Sequence, residues 1–264
     1  MNMKDKVKEF WVNQAEEHKE SDIATAPDHY YRLLEIDRIK SYLVDGKKVL
    51  DVGCGNGYST IEFAKAFPRS RFVGVDYCED FIKYAKSALA KENADMQKRI
   101  EFVVGDARDL SSALGKKQFD FIISERCIIN LKDWKEQQIA LLEFDTHLSA
   151  KGKIILAENT QEGLANLNEL RVQFGLKMIE VRWHNFYIPQ KKFMEFTKKH
   201  YKVVSVKNIG NLYYILSRVV YATLAHKEGK EPEYKNPINE IASKLPSLDN
   251  CHYSPNYIFL LGKK

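Results

Sequence analysis

Long apolar runs are missing from this chain of 264 residues. No stretch approaches the roughly 20 consecutive apolar residues that a membrane-spanning helix needs. Residues 1–6 run straight into a charged helical pattern with no apolar signal core, so a cytoplasmic protein is expected. Cysteine is scarce as well. Cys54, Cys78, Cys127 and Cys251 form no C-x-x-C pair and have no histidine at zinc-ligand spacing, which excludes a zinc ribbon and a dithiol redox motif. Free thiols in a reducing compartment and no resident metal are the expectation. Charge of one sign is also lacking: 41 Lys and Arg face 36 Asp and Glu, and the net +5 is scattered rather than gathered in blocks. That balance argues only weakly for a polyanionic partner. Repeats and low-complexity tracts are absent, which removes solenoids and disordered linkers. What remains, at 44% hydrophobic and 29% charged residues, has the composition and length of one large α/β domain with appended helices.

One stretch organises the rest. Residues 48–59 place Val49, Leu50 and Val52 around Asp51 and follow with glycine at 53, 55 and 57, so a short buried strand breaks into a tight turn before a helix. Such a turn lets backbone N–H groups and a helix N-terminus approach a ligand closely. A dinucleotide loop wants G-x-G-x-x-G, with the third glycine on the helix. Here that glycine comes one place early, and Tyr58 stands where the dinucleotide loop would need it.

Further strands end in acids. Residues 71–76 form an apolar run closing on Asp76, 19 positions beyond Gly57, where a carboxylate can accept from both hydroxyls of a ribose. Tyr77 follows and is suited to an adenine face. Residues 100–104 lead to Gly105, Asp106 and Ala107, and residues 118–124 lead to Glu125. A fifth strand is expected at 154–157, a sixth at 201–207 and a last at 256–261. Helices are expected at 4–20, 28–43 with Asp28 as N-cap, 60–67, 81–93, 134–148 with Asp133 as N-cap, and 190–200. Helices around 212–226 and 238–244, and one containing Leu164 to Arg171, complete the pattern. Phe10 and Trp11 are expected to form the edge of a lid, and His29, Tyr30 and Tyr31 to face the site.

Asp51 through Gly57, with Gly74-Val75-Asp76 and Gly105-Asp106-Ala107, resembles the cofactor motifs of class I S-adenosylmethionine-dependent methyltransferases. The resemblance is specific over residues 45–160. It implies a Rossmann-like α/β fold with a seven-stranded, mostly parallel sheet, an antiparallel last strand, N-terminal helices and a helical insertion after strand five. The single domain divides into a lid at 1–44, a cofactor core at 45–160, an acceptor insertion at 161–200 and C-terminal strands and helices at 201–264. S-adenosyl-L-methionine is the implied cofactor and S-adenosyl-L-homocysteine its product. Tyr30, Asp51, Gly53, Gly55, Asn56, Gly57, Asp76, Tyr77, Asp106, Ala107 and Glu125 are the implied cofactor contacts, with Asp106 taking the adenine amino group and Glu125 the methionine amino group.

The acceptor side is read from position and chemistry. His184, in a Trp-His-Asn run on the insertion, is the leading general base because imidazole titrates near neutrality, with Glu125, Glu158 and His29 in reserve. Arg126 and Arg171 can bind an anion bidentately or pair with a neighbouring acid, and Asn130, Asn159 and Asn185 suit hydroxyls or amides. The stretch from Ser124 to Leu131 and Trp183-His184-Asn185 is similar to bacterial small-molecule methyltransferases, including ones associated with surface-polysaccharide biosynthesis. This implies methylation of an oxygen or nitrogen on a sugar, nucleotide sugar or phosphorylated metabolite, with capsule or other surface polysaccharide as a setting. The Asn/Asp-Pro-Pro-aromatic signature of amino-methyltransferases is absent. An RNA methyltransferase, suggested by a pI near 8.8, is the alternative; no RNA-binding module or basic stripe supports it.

Overall fold

The computed structural model describes residues 3–264; Met1 and Asn2 of the leading charged segment lie outside the described residues. The elements run α1 (Met3–His18), α2 (His29–Lys40), β1 (Lys48–Val52), α3 (Tyr58–Ala66), β2 (Arg71–Asp76), α4 (Glu79–Ala90), α5 (Ala94–Arg99), β3 (Ile100–Val104) and α6 (Leu110–Leu114). They continue β4 (Phe119–Glu125), a 3-10 turn (Ile128–Asn130), α7 (Trp134–Thr146), β5 (Leu148–Asn159), α8 (Gln161–Gln173), α9 (Gln190–His200) and β6 (Tyr201–Asn208). The chain closes with α10 (Asn211–Tyr214), a π-helical segment (Ile215–Val220), α11 (Tyr221–Lys227), α12 (Pro237–Ser243) and β7 (Asn256–Lys263).

One seven-stranded sheet has the order β3-β2-β1-β4-β5-β7-β6. All pairs are parallel except those of β7, which runs antiparallel between β5 and β6. This is the Rossmann-like arrangement expected, with its antiparallel last strand. Along β1, Val49 packs into one core layer with Ile39, Phe63, Phe72 and Phe102. Its neighbour Leu50 enters the opposite layer with Ile122, Phe144, Ile154 and Phe259. The period-2 alternation therefore buries both faces, as a helix-covered parallel sheet requires. The strand order reverses between β1 and β4, and open α/β sheets form their ligand crevice at the carboxyl ends of such a pair.

Local chemistry sets the boundaries. Asp28 caps α2 by accepting from Tyr31 N at 3.2 Å, Asp133 caps α7 through Glu136 N at 3.0 Å, and Thr160 Oγ1 caps α8 through Gly163 N at 3.1 Å. The helix expected over 81–93 is α4, which stops at Ala90, and a further short helix not expected from the sequence follows, because Asn93 accepts from Met96 N at 3.0 Å and starts α5. The fifth strand is far longer than its apolar stretch: the lysine-rich turn at 151–153 is already in β5. Between α8 and α9, residues 174–189 lack regular structure except for a bridge from Ile188 to Thr160.

Candidate active site

The three acids at strand tips converge on the crevice. Asp51, at 2% exposure, accepts from Thr60 Oγ1 at 2.5 Å. Asp76 accepts from Gly55 N and Cys78 N, both at 2.9 Å. A carboxylate offers about four acceptor directions, so these backbone bonds orient Asp76 without exhausting it. Asp106 is held by Arg108, whose Nε donates to Oδ1 at 2.8 Å and Nη2 to Oδ2 at 2.5 Å; Arg108 also reaches Glu136 at 2.7 Å. Arg108 lines the same cavity as Asp106 and carries no motif signal; it follows Ala107 by one residue. That cavity, about 300 Å³, is lined by Gly53, Asp76, Tyr77, Asp106 and Ala107, with His184 on its far wall.

The glycines serve packing more than ligand access. A Cβ at Gly53, where φ is +76°, would collide with the Cys127 side chain, and one at Gly55 would stand 2.6 Å from Thr25 Cγ2. A Cβ at Gly57 would stand 2.6 Å from Phe102. The turn is thus wedged between the loop after β4, the N-terminal segment and the core. Asn56 is equally committed: its Nδ2 donates to Lys19 O at 3.0 Å and Ser21 O at 2.8 Å, tying the N-terminal helices to the glycine turn rather than lining the cavity.

A narrower cavity of about 80 Å³ continues from the first past Gly53, Asp76 and Tyr77 to Arg32, Asp51 and Glu125. Arg32 was not among the sequence-derived site residues. It is 3% exposed, donates to Asp22 O and to Thr25 Oγ1 at 3.0 Å, lies over the Tyr58 ring at 4.7 Å, and leaves Nε without a partner. One buried cation beside two carboxyl groups is a donor set suited to the two charges of an α-amino acid. This charge pattern and the strand-tip acids are what an S-adenosylmethionine site requires.

The loop after β4 forms the third wall. Glu158 Oε1 accepts from Ser124 Oγ at 2.6 Å, Cys127 N at 3.0 Å and Ile128 N at 3.1 Å, so this reserve base acts as the anchor of the loop. Arg126, at φ +52°, sends Nε to Glu35 Oε2 at 2.9 Å and Nη2 to Glu125 Oε1 at 3.3 Å. Burial works against its charge, but Glu35 and Glu125 outweigh that and hold the guanidinium protonated. Asn130 borders both of these cavities and a third. The third, about 190 Å³, is bounded by Tyr31, Asn159, Asn185 and Tyr187 and shares His184 with the first.

His184 is 6% exposed and sits in an aromatic box: Phe10 stacks on it at 4.2 Å between centroids, and Trp11 and Trp183 present edges at 5.5 and 5.3 Å. Its Nδ1 has no partner. Burial, and then the charge of Arg182, push its pKa down to about 4, so the imidazole is neutral and less basic than the sequence suggested.

Three further assignments are not brought to the site. Tyr30 faces a separate surface hollow with Asp22, Ile23 and Tyr234, while Tyr31, one position on and about 100° around α2, lines the 190 Å³ cavity. His29 lines the same hollow as Tyr30 and pairs with Asp22. Arg171 donates to the carbonyls of Lys177, at 2.9 Å, and Arg218, bracing the insertion instead of a ligand.

Residues 43–209 match a family model described as a methyltransferase domain. The chain belongs to the methyltransferase domain family. Relatives of this methyltransferase domain include a catechol O-methyltransferase of Mycobacterium tuberculosis, 28% identical over 121 residues, covering 46% of this chain and 51% of the relative. A demethylmenaquinone methyltransferase of Staphylococcus carnosus is 31% identical over 117 residues, covering 44% of each. The chain spans about half the length of the curated relatives it matches. Among solved structures, a Haloferax volcanii methyltransferase in complex with the Trm112 activator aligns over 96% of both chains at a TM-score of 0.60 and 15% identity. The N-methyltransferase NodS of Bradyrhizobium japonicum, solved with S-adenosyl-L-homocysteine, aligns over 96% of this chain and 98% of its own at a TM-score of 0.53 and 12% identity. These likenesses share the fold.

Burial pushes the carboxyls of Asp51 and Glu158 up to about 7 and that of Asp76 up to about 6. The folded methyltransferase domain therefore holds their protons more tightly than the unfolded chain, where such groups titrate near ~4. Their contribution to stability is complete below that value and is lost as pH rises through 6 to 7. Calorimetry of the ligand-free protein should show its unfolding midpoint falling by a few degrees between about pH 5.5 and pH 8; a rise over that interval would contradict the assignment.

Proposed function

We propose that this chain is an S-adenosyl-L-methionine-dependent methyltransferase that methylates an oxygen of a polar small molecule. The observation that carries the reading is the meeting of two cavities at Asn130 and His184, one lined by the strand-tip acids Asp76 and Asp106 and the other by tyrosines and asparagines. When bound, the cofactor supplies an electrophilic methyl group on a sulfonium sulfur. Asp76 would accept from the ribose hydroxyls, Tyr77 and Ala107 would border the adenine, and Asp106 would take its amino group. Arg32 would hold the carboxylate of the methionine moiety, and Asp51 and Glu125 its ammonium. Asn130, Asn159 and Asn185 orient the acceptor; Arg126, paired with two acids, shapes the wall between the cavities.

Methyl transfer from a sulfonium needs alignment and a dry site more than acid or base strength. An alcohol oxygen that takes the methyl group, the carbon–sulfur bond breaking and the neutral thioether leaving, would become strongly acidic at its O–H. A weakly basic, neutral His184 is matched to taking that late proton. The same group is too weak to strip a proton from an alkylammonium, which favours oxygen over nitrogen as the acceptor.

The acceptor class includes sugars, nucleotide sugars and phosphorylated metabolites, with surface polysaccharide as one setting. The catechol and demethylmenaquinone relatives are named for small molecules, which supports a small molecule over RNA as the acceptor. No helix among the described residues is long and apolar enough to cross a membrane, and the free cysteines suit a reducing cytoplasm. The test is incubation with methyl-labelled cofactor and either a cell metabolite extract or total RNA. Label should enter the small-molecule fraction; label in RNA alone would overturn the acceptor class. Failure of the protein to bind S-adenosyl-L-homocysteine in calorimetry would overturn the enzyme reading itself.

A further inference from the structure

The 190 Å³ cavity has an unusual polar balance. Asn130 spends its Nδ2 on the carbonyls of Arg126 at 2.8 Å and Cys127 at 3.3 Å, and its buried Oδ1 has no partner. Flipping that amide would set its oxygen against two carbonyl oxygens, so the orientation is forced. Asn159, at the end of β5 and 8% exposed, has its amide against the Tyr187 hydroxyl, and its buried Oδ1 is left without a partner. Both are acceptors, and a buried acceptor left unmet is unfavourable. An occupant that supplies hydrogens to both removes that cost.

Two of the three arginines around the cavity are committed elsewhere: Arg126 is paired with Glu35 and Glu125, and Arg218 with Asp28. The third, Arg182, is exposed at the cavity's edge, where solvent screens it. A phosphate or carboxylate placed beside Asn130 and Asn159 would meet two carbonyl oxygens and lose hydration there, while Arg182 could receive a charged group only at the exposed edge.

Resting on the methyltransferase reading above, we infer that the acceptor is an uncharged, donor-rich molecule of monosaccharide size, a polyol or acylated amino sugar held by Asn130 and Asn159 through its hydroxyl or amide hydrogens. The volume corresponds to on the order of six waters, which such a molecule displaces. This narrows the acceptors to neutral members, or to compounds whose charged part stays outside the cavity.

The test is calorimetry on the full chain, with and without S-adenosyl-L-homocysteine, using glucose and N-acetylglucosamine as neutral probes and glucose phosphate and glucuronate as anionic ones. At least one neutral probe should bind about tenfold or more tightly than either anion. Asn159→Leu should weaken that binding about tenfold while leaving the homocysteine product's affinity unchanged; Asn159→Asp, which keeps the acceptor oxygens, should retain it. Equal or tighter binding of the anions, no binding by any of the four, or an unaffected Asn159→Leu would overturn the inference. The neutral-against-anionic ranking is read without the cofactor product, so its failure is distinct from a failure to bind that product.

Discussion

Alanine at Asp76 should weaken S-adenosyl-L-homocysteine binding by at least ~30-fold, about 2 kcal/mol, in calorimetry at pH 7.5. Two losses add. The ribose hydroxyls lose their acceptor, and the Gly55 and Cys78 amides, each 2.9 Å from the carboxylate, lose the group that shapes the turn. Asp76→Asn separates them, since an amide keeps one acceptor oxygen while giving up the charge. It should fall between wild type and alanine. Because burial raises the Asp76 carboxyl to about 6, wild-type affinity should itself decline as pH falls below that value, with protons released on binding near it. An alanine variant with unchanged affinity would remove Asp76 from the cofactor site.

Phenylalanine at His184 should lower turnover by roughly 100-fold while leaving cofactor affinity within about twofold. The substitution keeps a ring stacked on Phe10 and beside Trp11, so the wall between the cavities survives and only the proton acceptor is lost. Alanine is the less informative change because it also empties the aromatic box. With a pKa near 4, His184 is already deprotonated throughout the physiological range, so a wild-type turnover profile should carry no limb from this residue between about pH 5.5 and 8. Near-wild-type turnover of the phenylalanine variant would exclude His184 as the base.

The fold and the gathering of the strand-tip acids at one crevice were legible for a physical reason. Strand ends in a parallel sheet are marked by an apolar run that stops, so Asp51, Asp76 and Asp106 announced themselves by position. The 3.6-residue helix offers no equivalent mark. Between Tyr30 and Tyr31 one residue of phase decides which ring lines a cavity, and the spacing of apolar residues on α2 did not resolve it. Arg32 was missed on the same helix because a buried arginine looks like a surface one until its neighbours are known. Asn56 and Arg171 illustrate a second gap: both bond main-chain carbonyls from distant parts of the chain, and no sequence pattern marks such partners. Glu158 reads as a candidate base until three donors, Ser124 on β4 and two amides of the loop after it, are found on its Oε1.

The π-helical segment at Ile215–Val220 carries Arg218 to Asp28, the residue that caps α2. A π turn accommodates one more residue than an α turn. Rewinding the same residues as uninterrupted α-helix, with none removed, would rotate the C-terminal half of the rod from α10 to α11 by about 100° relative to its N-terminal half. Arg218 and the Tyr213 hydroxyl, which donates to Asp28 at 2.7 Å, would then no longer address the same carboxylate. The segment thus works as a phase adjuster: its wide turn absorbs one amino acid and so keeps the C-terminal helices in register with the N-terminal ones, and the 190 Å³ cavity lies along that seam.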